Sequence, residues 1–88
     1  MYDILPYTYK KARELGLYVK ASQKGNYKID VFNKDGEYLF SGGFLGYSDY
    51  PHYLKERGKQ YAEERRRLYK LRHTKETVRG RIISALLW

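Results

Sequence analysis

The chain has no cysteine, which excludes disulfide staples and thiolate metal centres. It has only two prolines, Pro6 and Pro51, and each stands where a helix start tolerates it. No apolar run approaches the roughly 18 residues that a membrane span needs. The opening MYDILPYTY also lacks the basic-then-apolar pattern of a secretory signal. Only two histidines occur, His52 and His73, in no HExxH or other metal-ligand spacing. Glu63 and Glu64 are adjacent and point in different directions on a helix, so they make no acid–base couple. The glycine-rich GGFLG of residues 42–46 lacks the GxxxxGK spacing and the following Ser or Thr of a nucleotide loop. These absences predict a soluble, non-secreted protein that is not an enzyme and that uses no cofactor, no metal and no membrane.

What is abundant is tyrosine and positive charge. Eleven Tyr, three Phe and one Trp among 88 residues supply rings that bury about 150–250 Å² each. In a single small domain, residues 1–88, most of them serve core and rim packing, and a minority remain free to stack on bases or meet a partner. The net charge is +8, unevenly placed. Residues 1–54 hold seven basic and six acidic side chains, whereas residues 55–88 hold eleven and four. Uncompensated cations repel one another unless an anion joins them. The surplus therefore points to a polyanionic partner.

Taken in order, residues 6–16 read as a short helix with Tyr9, Ala12 and Leu15 on its packed side and Gly16 as its stop. Lys10, Lys11 and Arg13 lie off that side, as on any solvated face. Residues 17–21 alternate, with Leu17, Val19 and Ala21 opposite Tyr18 and Lys20, which signals a strand. A second strand runs from Tyr27 to Phe32, placing Tyr27, Ile29 and Val31 opposite Lys28, Asp30 and Phe32. Asn33-Lys34-Asp35-Gly36 supplies a hairpin turn in which Gly36 takes positive φ. Glu37 to Ser41 forms the third strand. Gly42 and Gly43 then let the chain bend out of the sheet, with Phe44 and Leu45 turned inward.

The segment from Tyr47 to His73 carries the strongest helical signal. Asp49 and Pro51 mark its start. Tyr61, Ala62, Arg65, Leu68, Tyr69 and Arg72 share one face, while Glu63 stands four residues before Arg67 for a weak ion pair. Gly58 interrupts this helix, as a kink or a point of close approach to the sheet. After it, Thr74 is a candidate cap, and IISALLW of residues 82–88 is either a closing helical segment packed on the core or an exposed partner-binding hook, with packing favoured because free apolar ends promote aggregation. The expected fold is α+β: a three-stranded antiparallel sheet packed by a long C-terminal-half helix, with a short N-terminal helix and a short C-terminal helical segment.

The candidate nucleic-acid-binding residues are Arg65, Arg66, Arg67, Lys70, Arg72, Lys75, Arg79 and Arg81. Arginine outnumbers lysine among them, which favours forked phosphate contacts over point charges. Arg65 and Arg72 can also run along the packed stripe with buried stems. The open sheet face around Tyr18, Lys20 and Lys28 is a second contact surface, since a small sheet can enter a groove. Neutralised phosphates release counterions, so the expected binding is steeply salt-sensitive and mostly independent of sequence.

The run GYSDYPHYLKERGKQYAEERRRLYKLRH, preceded by YTYKKARELG, KIDVF and GGFLG and closed by LLW, resembles a family of short basic proteins of uncharacterised function encoded by large DNA viruses of algae and protists. The likeness spans most of the chain, and DYPHY with RRRLYKLRH is its most distinctive part. It implies a virion or infected-cell setting, nuclear or cytoplasmic, and brings no site residues with it. The order of three strands then a helix is also similar to small domains that read duplex DNA with their sheet. The functional expectation is a non-enzymatic, low-specificity double-stranded DNA-binding protein of a viral genome or virion. The alternative is a minor virion protein that fastens other proteins together through aromatic and apolar contacts. Self-association is compatible with both.

Overall fold

Alternating residues form a strand when one face meets a core and the other meets water. In the computed structural model, which describes residues 1–73 and 77–88, this pattern produces β1 (Tyr18–Ala21), β2 (Tyr27–Phe32) and β3 (Tyr38–Phe44). They form one antiparallel sheet in the order β1-β2-β3. Register pairs Val19 with Val31 and Val31 with Phe40, so three core residues line up across the sheet. The turn between β2 and β3 is built as expected. Asn33 accepts the amide hydrogens of Asp35 and Glu37 at 3.0 and 2.9 Å, and Gly36 has φ of 83°.

Four helices accompany the sheet among the described residues: α1 (Pro6–Glu14), α2 (Tyr50–Arg57), α3 (Lys59–Arg72) and α4 (Val78–Leu87). The architecture is thus α+β, with helices packed onto a three-stranded antiparallel sheet. The core joins Ala12 of α1, Val19, Ile29, Val31 and Phe40 of the strands, and Leu86 and Leu87 of α4. Burying each leucine contributes about 1.5–3 kcal/mol, so the C-terminal segment is core and not a free tail. The closest packing on the strands comes from α4 and α1. By contrast α3 packs on α2 and meets the end of β3 across a cleft.

Several local expectations change. The helix expected from Asp49 onward is two helices, because Gly58 adopts φ of 88° and ψ of 172°. That backbone region is essentially open to glycine alone. No side chain crowds the position, so Gly58 serves the break and not a close approach. The buried side of α1 is Thr8 and Ala12, whereas Tyr9 and Leu15 are exposed. Thr8 faces inward because its hydroxyl donates to the Leu86 carbonyl at 2.9 Å.

Gly42 and Gly43 do not bend the chain away. β3 continues through them, pairing Gly42 with Ile29 and Phe44 with Tyr27. A Cβ at Gly42 would collide with Ile83, and one at Gly43 would press on Leu87 and Lys28. Their role is to let α4 close on the sheet. Phe44 and Leu45 then fall on the outside.

Thr74 and Lys75 lie outside the described residues. Thr77 caps α4, its hydroxyl accepting the Gly80 amide hydrogen at 3.1 Å. Among the described residues, no helix is long and apolar enough to cross a membrane.

Candidate functional site

Residues 65, 69 and 72 stand one or two turns apart on α3, which puts their side chains on one face. Where that face meets β3 and the C-terminal end of α4, it leaves a cleft of about 440 Å³. This lies within the roughly 300–1,000 Å³ typical of small-ligand sites. From α3 come Arg65, Leu68, Tyr69 and Arg72, followed by His73. The sheet side contributes Lys28, Gly43 and Phe44, with Tyr47 and Ser48 from the loop beyond. Tyr53 and Trp88 close the wall together with Ile83 and Leu87.

Aromatic stacking fixes this wall. Tyr69 lies parallel to Trp88 with ring centroids 4.3 Å apart and stacks on His73 at 4.0 Å. The His73 ring Nδ1–H donates to the Tyr69 carbonyl at 2.8 Å, which holds that ring at the helix end. Tyr69 and Ser84 share a hydroxyl hydrogen bond at 3.0 Å that ties α3 to α4.

Beside the cleft lies a buried charge cluster. Lys28, expected on an open sheet face, is 3 % exposed and donates to Asp49 at 2.9 Å. Its burial has a clear cause: the Tyr2 ring lies 5.5 Å from the ammonium, and the start of α2 supplies the counter-charge. Asp49 caps α2, accepting the His52 amide hydrogen at 3.2 Å. It also accepts from the Tyr2 hydroxyl at 2.6 Å and meets His52 Nδ1 at 2.8 Å. Burial acts to raise the Asp49 carboxyl. The Lys28 charge and the hydrogen bonds from Lys28, Tyr2 and His52 outweigh it and hold the group below its ordinary range. Tyr2 moves the other way, its phenol raised by burial and by its bond to the carboxylate.

The structure separates the expected binding residues into groups. Arg65 and Arg72 line the cleft. Arg65 extends over the Tyr53 ring at 5.5 Å, and its Nε is buried without a hydrogen-bond partner. Arg66 is committed to the fold. It donates to the Trp88 carbonyl at 2.6 Å and the Tyr7 hydroxyl at 3.0 Å, and it lies 3.6 Å from the Tyr50 ring centre. Arg67 is exposed and paired with Glu64 at 2.6 Å. The expected pair between Glu63 and Arg67 is replaced by Glu63 with Arg66 and Glu64 with Arg67, because three-residue spacing suits these side chains as well as four. Lys70, Arg79 and Arg81 are exposed, with Arg79 reaching over Phe40 at 5.7 Å.

The cleft draws on Tyr53 and Trp88, which sequence reasoning left out of the site, and on Lys28, which it placed on an open sheet face. The repeat of Arg65, Tyr69 and Arg72 on one helical face was the available signal. Nothing in residue spacing brings Lys28 or Trp88 to that face. No protein-family model, curated protein or solved structure matches the chain.

Proposed function

We propose that this protein binds nucleic acid without being an enzyme, taking duplex DNA with low sequence preference through cations of α3 and α4. One observation carries the reading. Arg65, Lys70, Arg72, Arg79 and Arg81 have no carboxylate within ion-pair distance among the described residues, although acidic side chains on the same helix pair with Arg66 and Arg67. Cations left uncompensated in this way are held apart only by solvent, and a phosphate backbone relieves their repulsion. The likeness to short basic proteins of large DNA viruses supports a viral-genome or virion setting. The fastening role would draw on exposed rings such as Tyr18 and Tyr47 and on the C-terminal apolar segment, of which Leu86 and Leu87 are inside the core.

Fluorescence anisotropy of a labelled duplex, titrated at rising salt, tests the proposal. The expected result is tight binding at low ionic strength that weakens steeply and alike for unrelated sequences. Absence of binding at low ionic strength overturns it.

A further inference from the structure

The cleft on α3 has more than a basic surface needs. Among the described residues its wall holds Arg65, Arg72 and Lys28 and no acidic side chain. Lys28 is matched by Asp49, which leaves the two guanidinium groups as uncompensated charge. The buried Arg65 Nε is a donor with no acceptor, and an orphan donor of this kind is costly until an acceptor reaches it. At the mouth stand Phe44 and Tyr47, 53 % and 73 % exposed, in a tilted pair with centroids 5.4 Å apart. Neither ring of this pair is buried by it. A duplex keeps its bases stacked inside, so the exposed rings at this mouth meet no base of a closed paired strand.

We infer that the cleft holds one unpaired nucleotide, its phosphate at Arg65 and Arg72 and its base against Phe44 and Tyr47. The inference rests on the nucleic-acid reading above and adds the substrate class of one site. Base-on-ring stacking tolerates any sequence, and forked arginine contacts suit a phosphate held in an enclosed wall. The cleft then takes single strands, ends or frayed stretches, while Lys70, Arg79 and Arg81, exposed outside it, stay open to the phosphates of a duplex. A free nucleotide offers the same chemistry as an unpaired one in a polymer, and the two are separable by experiment.

Trp88 is the one tryptophan of the chain and lines the cleft, so its fluorescence reports occupancy directly. Titrations use thymidine 5′-monophosphate, orthophosphate, a short oligothymidylate and a blunt duplex closed by a hairpin. The oligothymidylate and the mononucleotide should change the Trp88 signal saturably, with orthophosphate at least about tenfold weaker for want of a ring. Tyr47→Ala and Arg72→Ala, both at exposed positions, should each weaken the oligothymidylate at least about fivefold. Lys34→Ala in the distant hairpin turn should leave it unchanged. Binding of the duplex with no Trp88 response to oligothymidylate or mononucleotide overturns the inference and spares the nucleic-acid proposal. Loss of all polyanion binding overturns both. Orthophosphate as tight as the mononucleotide also overturns it, by removing the base from the site. Mononucleotide binding without oligothymidylate binding keeps the cleft as a nucleotide site and removes the polymer as its source.

Discussion

Several interactions converge on Asp49. It caps a helix, neutralises Lys28 and anchors Tyr2 from the start of the chain, and it is fully buried. Removing one partner of a buried ion pair leaves an uncompensated charge, at a cost of about 3–5 kcal/mol. Asp49→Ala should therefore lower the urea midpoint strongly, measured by circular dichroism at neutral pH. The pH dependence has a definite sign. Since the folded state holds this carboxyl below its ordinary 3.8, its contribution is fully present above that value and lost as pH falls through the lower native one. The native chain should thus lose stability on acidification below about pH 4, and Asp49→Asn should show a flatter acid limb. An equally steep limb in that variant would assign acid sensitivity elsewhere.

At the scale of elements, the break at Gly58 separates two tasks. α2 carries the Asp49 cap, and α3 carries the face of the cleft. A continuous helix would carry the axis of α2 straight into α3 and could not turn the face of residues 65, 69 and 72 toward Trp88. An alanine at Gly58 meets no steric obstacle, but it must take a backbone conformation that costs about 1–3 kcal/mol outside glycine. Gly58→Ala should lower the thermal midpoint with little change in helical circular dichroism. A raised midpoint would show that the two helices can fuse without penalty. The glycines of β3 work by contact instead: α4 can lie close to that strand only while positions 42 and 43 lack a Cβ.

For the whole molecule, net charge matters less than how each cation is used. Arg66 adds to the count of +8 but spends its donors on Trp88 and Tyr7. Arg66→Ala should appear as lost stability in a thermal melt, not as a changed salt dependence. Arg79 and Arg81 have no carboxylate partner among the described residues. Replacing both by alanine should reduce the log–log salt slope of duplex binding by about 2, or about 1 for each lost phosphate contact. An unchanged slope would remove α4 from the interface.

The strands, their turn and the starts of α1 and α2 were legible in the sequence because each rests on a local rule. Alternation sets strand faces, Gly36 permits its turn, and Asp49 accepts the free amides of a first turn. These rules need only neighbours within a few residues. The destination of each charged side chain was not legible, since it depends on what packs beside it across the fold. Lys28 alternates like a solvent-facing residue, yet Tyr2 and Asp49 enclose it. Arg66 and Arg65 are adjacent in the chain, yet a hundred-degree step around the helix sends one to the Trp88 carbonyl and the other to the cleft. Local chemistry decided which elements form, and the tertiary packing of α4 and Trp88 decided which cations remain available to a ligand.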